Sequence, residues 1–565
     1  MAAPEDKVVR EFRHMLLWPL QLRRLGPACQ QKNHWDALAA QPGPWKRVRD
    51  NLLVDDESCH LGYREFVYFL PYVQRFLYGF GEAESQTPSS LHMFKRDDIA
   101  SVHVRLREDS VPVEFAVERT RLIFFYDVDI AILAFEIVGH DIALADAIET
   151  MDRFGRPYPP SWESANQAAH CTWQVEFLDA NGRLLTASDY GDRDKYLSLV
   201  REIKQTPLSL HWENLLKPMV PAYLGGGTVQ YYQIENKRIP TMSYLAFDEP
   251  RKLSRGDVTR IAFAAKWGPS DTLPYSEKFL HDFESQYCYD RFWNGDDPAS
   301  GMNTRYTLCG PQFAMITKHG DECRDLVQNF RHQFFQIGML TNFHKAALLD
   351  LSNRFSIAVE RLRVGEYDSV RVFKASVREA LELFLRFNHR YWSHEISNQV
   401  LAADLYKRWS HQLGSEALYH DVREEARDIN EYLDADRTRR SSDNAQRLTV
   451  VSACGMVGTV ATGFLGMNIF SHSDLGYWEK LAVFLVVFIP TIALTAYTVL
   501  ISRRLATFME ALASERMTWG EKRDAFRQIW FSAKKAKIER VAAGEVPGRR
   551  PRPAAPPPEP AHSAD

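Results

Sequence analysis

Residues 448–470 read LTVVSACGMVGTVATGFLGMNIF, an uncharged run that closes on Gly466-Met467-Asn468. A helix needs about 20 predominantly apolar residues to cross roughly 30 Å of hydrocarbon, and this run has that length. A polar link at 471–480, SHSDLGYWEK, separates it from a second uncharged run at 481–501 that contains Pro490. The two runs are expected to form a transmembrane hairpin. Arg437, Arg439, Arg440 and Arg447 precede it, and Arg503 and Arg504 follow it. Basic residues collect on the cytoplasmic side of a membrane, so both ends of the hairpin, with the N- and C-termini, are expected there. The triplet then lies at the external mouth.

The two runs differ in the face they can offer to water. At 100° per residue, Leu448, Ser452, Gly455, Met456, Thr459, Gly463 and Gly466 fall on one arc of the first helix, opposite Val450, Ala453, Val457, Val460 and Phe464. Small and hydroxyl residues on one arc serve close helix packing or a narrow aqueous path. The second run has no such arc and reads as the lipid-facing partner, its proline tolerable where neighbours satisfy the carbonyl it leaves unbonded.

Upstream, the pattern from 318 to 447 is helical, a stalk leading into the first span. Leu418, Val422, Ala426, Ile429 and Leu433 recur at helical spacing as an apolar stripe. Asp421, Glu424, Glu425 and Asp428 flank it on one side and Arg423 and Arg427 on the other. Interhelical salt bridges are the plainer reading of these charges. The sharper one is a cytoplasmic metal sensor, because acids three and four residues apart repel and a bound Mg²⁺ would relieve that repulsion.

Residues 1–317 read as a cytoplasmic α/β domain. FRHMLLWPLQL, VEFAVE, RLIFFY, DIAILAFEI, TWQVEFL, RIAFAAKW and QFAMITK are strand candidates, and ALADAIETMDRF is a helix with Leu144, Ile148 and Met151 on one face. The aromatics of YREFVYFLPYVQRFLYGF are expected to fill a core or an intersubunit seam. Asp127 and Asp129 share one side of a predicted strand and read as solvated strand-end carboxylates rather than a cation site. After the second span, 502–543 is expected to continue as a basic helix, and 544–565 reads as a disordered proline-rich tail.

Several function classes are excluded or weakened. The net charge of −4 over 565 residues carries no nucleic-acid footprint. The start, MAAPEDKVVREF, lacks the pattern of a signal peptide. Cys29, Cys59, Cys171, Cys288, Cys309, Cys323 and Cys454 include no C-x-x-C pair, so neither a disulfide framework nor a zinc site is indicated. Gly225-Gly226-Gly227 lacks the Lys-Ser/Thr of a phosphate loop and reads as a turn, and no HExxH or GxSxG occurs. No enzyme and no cofactor are expected. A second triplet, Gly301-Met302-Asn303, stands in the polar context NGDDPASGMNTRY and reads as a surface turn.

A C-terminal two-span hairpin whose first helix ends in Gly-Met-Asn, after an α/β domain and a helical stalk, resembles the CorA family of divalent-cation channels. The resemblance implies a homopentamer in the inner or plasma membrane that passes Mg²⁺, and also Co²⁺ or Ni²⁺, with five first spans around the pore. It places Leu448, Ser452, Met456, Thr459 and Gly463 on the pore wall and Gly466, Met467 and Asn468 at the selectivity filter. Asn468 would hold the hydrated ion through its outer sphere. That chemistry is sound, since Mg²⁺ gives up water reluctantly and amide oxygens can hydrogen-bond its hydration shell without stripping it. Leu448 and Met456 would be apolar constrictions able to gate by dewetting. Two other readings remain open: a zinc transporter of the ZntB type, whose triplet usually varies at its middle residue, and a non-conducting membrane scaffold or sensor whose cytoplasmic domain binds a partner.

Overall fold

The computed structural model describes residues 7–466 apart from 26–30, 49–58, 80–89, 164–166, 235–237, 294–302, 321–323 and 364–366, together with scattered positions between 476 and 497. The chain divides into a unit spanning Met1–Ile429 and a second spanning Asn430–Asp565.

The first unit is organised around β1, Val8–Leu22. The remaining strands among the described residues are β2 Lys46–Val48, β3 Leu91–Lys95, β4 Ser101–Arg105, β5 Val113–Phe125, β6 Ile130–Ala143, β7 Gln174–Leu178, β8 Leu184–Ala187, β9 Val220–Pro221, β10 Gln230–Gln233, β11 Thr241–Phe247, β12 Cys288–Phe292, β13 Thr304–Cys309 and β14 Gln312–Lys318. They join one sheet in the order β12-β13-β14-β11-β1-β6-β5-β4-β7-β8, with the shorter strands attached at β1 and β5. β1 lies antiparallel to both β6 and β11, while β11 and β14 run parallel. The helices are α1 His34–Ala39, α2 Cys59–Phe66, α3 Pro71–Tyr78, α4 Leu144–Arg153, α5 Arg193–Ile203, α6 Leu210–Leu216, α7 Arg255–Phe263, α8 Glu277–Tyr287, α9 Arg324–Asn329, α10 Phe335–Glu360, α11 Tyr367–Arg390, α12 Val400–Gln412 and α13 Ser415–Gly466.

Successive side chains of a strand point to opposite faces, and β1 buries both. Phe12, Leu16, Trp18 and Leu20 enter a core with Ile148 and Met151 of α4 and Trp212 of α6. Met15 and Leu17 enter the other core, with Phe343 of α10, Phe387 of α11 and Trp409 of α12. A sheet buried on both faces needs helices on both, and the sequence supplies them on either side of β14. The helices expected to form a stalk therefore also build the second core. The start of α13 joins them through Tyr419, Val422 and Ala426, so most of the apolar stripe packs inside its own chain. Gly338 of α10 permits this close approach, because a Cβ there would lie 2.7 Å from the Trp409 ring, 2.8 Å from Met242 Sδ and 3.1 Å from Leu17 Cδ1.

Several expectations hold at the level of elements. β1, β5, β6, β7 and β14 contain the predicted strands, and α4 buries Leu144, Ile148 and Met151. The aromatic segment 63–80 folds largely as α2 and α3, with Tyr68, Phe69 and Phe76 in the core. Gly225, Gly226 and Gly227 turn the chain between β9 and β10 with φ of 66°, 72° and 67°, a region that favours glycine. Two expectations are corrected. RIAFAAKW is not a strand: its first four residues close α7, which Ser254 and Asp257 start with a reciprocal capping box. Asp127 and Asp129 lie in the turn between β5 and β6 rather than on a strand, and they are paired. Arg386 lies 3.3 Å and Arg390 3.4 Å from Asp127, and Arg354 lies 2.7 Å from Asp129.

The face of the sheet that packs on α10 turns from apolar to ionic at one end. Arg13 of β1, Glu136 of β6 and Arg119 of β5 sit side by side there, and Arg331, from the single π-helical turn Phe330–Phe334 ahead of α10, lies over them. A β-bulge makes Glu118 an extra residue, since Val117 pairs with Ile137 and Arg119 with Glu136.

Candidate functional site

The second unit contains, among its described residues, the continuation of α13 to Gly466. Leu448, Ser452, Met456, Thr459, Gly463 and Gly466 are all exposed on this helix. Leu448 leaves 72% and Met456 68% of its surface uncovered. A Cβ built on Gly455, Gly463 or Gly466 would meet nothing within 4 Å. The described residues of the predicted arc are thus uncovered, Gly455 in part.

Its hydroxyl chemistry suits a hydrated cation. Thr459 Oγ1 donates its proton back to the Gly455 carbonyl at 2.9 Å. With the hydrogen engaged, the oxygen presents lone pairs outward, and those accept from water molecules whose protons point away from a metal ion. Of the triplet at the end of this face, Gly466 closes α13, while Met467 and Asn468 lie outside the described residues, as do 501–565 and most of 481–500. Among the described residues no helix is long and apolar enough to cross a membrane.

The acids Asp421, Glu424, Glu425 and Asp428 are exposed on the first part of α13. Ser352 donates to Glu425 at 3.4 Å, and burial with the Asp421 charge raises the Glu425 carboxyl above its usual range. Among the described residues, no three His, Cys, Asp or Glu side chains are grouped so as to hold a metal ion. Asn303 of the second triplet accepts from Arg251 Nε at 2.6 Å, while Gly301 and Met302 lie outside the described residues.

The α/β unit is continued by α13, whose described arc residues are largely uncovered. Residues 361–504 match the family model described as CorA-like Mg²⁺ transporter protein, so the resemblance read from the C-terminal runs is shown over that stretch. The match takes in α11, α12 and α13 and leaves the sheet outside it. No curated protein matches the chain. A solved structure, that of the full-length CmaX protein, aligns with 47% of this chain and 89% of its own at 13% identity, with a TM-score of 0.16.

Proposed function

We propose that the chain assembles as a homo-oligomer, a pentamer on the family resemblance, that conducts Mg²⁺, and with it Co²⁺ or Ni²⁺, across the inner or plasma membrane. The hairpin 448–501 spans the bilayer, with both termini cytoplasmic. Leu448, Ser452, Met456, Thr459 and Gly463 line the path, and Gly466, Met467 and Asn468 form its outer filter, with the Asn468 amide oxygen meeting the hydration shell. The supporting observation is the open face of α13, where Leu448 and Met456 stand uncovered beside Ser452 and Thr459. Leu448 and Met456 fall on the same arc, and an apolar surface shared along one face is a place for another surface to dock, as copies of the same helix around an axis would. Asp421, Glu424, Glu425 and Asp428 belong to the proposal as a cytoplasmic Mg²⁺ sensor completed between copies.

The test is cation flux into liposomes carrying the purified protein and an internal indicator dye, for wild type beside Asn468→Ala. Mg²⁺ flux that is lost in the variant supports the reading. Flux of Zn²⁺ without Mg²⁺ points to a zinc transporter instead, and no flux of either from folded protein points to a scaffold.

A further inference from the structure

The ionic end of the sheet encloses a cavity of about 520 Å³ between β3, β5 and the π-helical turn that leads into α10. The volume lies within the range of small-molecule sites, roughly 300–1,000 Å³. Its wall is polar and densely charged. Five Lys and Arg side chains line it with three carboxylates, Glu136 lies beneath the floor, and Arg96 is paired with Asp98 at 2.6 Å.

The floor is already committed to its own pairs. Glu118 takes Arg13 at 2.8 Å and Arg331 at 2.9 Å, and Glu136 lies 3.5 Å from Arg119 Nε and 3.6 Å from Arg331 Nε. Burial and the nearby charges of Arg121 and Arg331 outweigh Glu136 and push the Arg119 guanidinium down to about 10.

Polar atoms in the wall also lack hydrogen-bond partners. Thr120 and Gln336 expose 4% and 1% of their surfaces, yet the Thr120 hydroxyl and the Gln336 amide oxygen make no hydrogen bond, and neither does Arg331 Nε. Buried polar groups without partners cost about 1–3 kcal/mol each, so three around one cavity are out of place unless something fills it. Two are donors suited to an oxyanion, and the third is an acceptor that asks for a hydroxyl or amino hydrogen. Planar guanidinium groups match phosphate geometry in particular. Glu65, buried and held by His332 at 2.9 Å, Tyr78 at 2.9 Å and Gln336 at 3.1 Å, fixes the orientation of the Gln336 amide.

We propose that this cavity binds a small phosphate ester, with Arg331, Arg119 and Thr120 on the phosphate and the Gln336 amide oxygen on a hydroxyl or amino group of the same molecule. The site lies in the α/β unit, outside the matched stretch 361–504, and does not rest on the transport reading.

The experiment is calorimetric titration of the full-length protein in detergent with inorganic pyrophosphate and, separately, with ADP. A chelator is present so that neither ligand binds as its Mg²⁺ complex. Saturable binding of ADP is expected, weakened about tenfold or more by Arg331→Gln, since a hydrogen bond to a charged group is worth about 1.5–3 kcal/mol. Thr120→Val keeps the side-chain shape and is expected to weaken ADP and pyrophosphate alike, severalfold, with an unchanged melting temperature in the absence of ligand. Should Arg331→Gln not fold, Thr120→Val alone decides. ADP tighter than pyrophosphate supports the ester, and binding of pyrophosphate without ADP overturns it. Absence of binding by both, or binding that neither variant weakens, overturns the proposal.

Discussion

Arg119 and Glu136 face one another across the β5–β6 ladder, guanidinium Nε 3.5 Å from carboxylate Oε2, with 5% and none of their side chains exposed. Removing one partner of a buried pair leaves the other as an uncompensated charge, at a cost of about 3–5 kcal/mol. Here Glu136 also faces Arg13 and Arg331. Glu136→Ala is therefore expected to lower stability by about that amount in chemical denaturation of the full-length protein. Glu382→Gln, which breaks the exposed pair with Arg386, is expected to change it by no more than about 1 kcal/mol. Equal effects would contradict the burial argument.

Gly338 tests the contact between α10 and the sheet. A methyl group there would enter the space of Trp409, Met242 and Leu17, and only side chains would have to give way. Gly338→Ala is expected to cost about 1–3 kcal/mol as overpacking, despite the gain in helix propensity. A stabilised variant would show that α10 can shift on β1.

Three buried histidines set a pH dependence. Burial first, then the charge of Arg238, pushes His14 down to about 3; burial pushes His211 to about 3 and His344 to about 4. In the unfolded chain each takes up a proton near pH 6.5. Below that pH the unfolded state binds more protons than the folded one, so stability falls as pH drops towards about 4, by up to about 1.4 kcal/mol per pH unit for each histidine. Urea midpoints at constant ionic strength are expected to fall from about pH 7 to pH 5. A flat profile over that interval would mean that the histidines gain protons in the folded state.

Much of the fold was legible from residue order alone. β1, β6 and the end of β5 announce themselves as apolar runs because both faces of the sheet are buried there. RIAFAAKW misled because a short apolar run cannot separate a strand from a buried helix by periodicity. Ser254 and Asp257, three residues apart just before it, were the signal that α7 begins there. The partners of Asp127 and Asp129 come from helices more than two hundred residues away, which no local pattern reveals.

The ionic cavity left a trace that sequence reasoning passed over. Glu136 interrupts the apolar run from Ile130 to Val138 of β6, and a charge in such a place asks for a buried partner. Its partners come from β1, β5 and the turn before α10, so only the folded sheet brings them together. The arc of α13 depends on helical spacing alone, and its described members other than the partly covered Gly455 are exposed. The outer filter, at Met467 and Asn468, lies outside the described residues.

The most direct test of the account asks whether the open face of α13 meets the permeating ion. Thr459→Cys places a thiol on that face, and Mg²⁺ flux into liposomes is measured before and after a charged thiol-specific reagent, with the identically treated wild type as control for the native cysteines. Loss of flux in the variant well beyond that in the control is expected if Thr459 lines the path. Flux that persists after the Thr459→Cys thiol is fully modified would contradict the account.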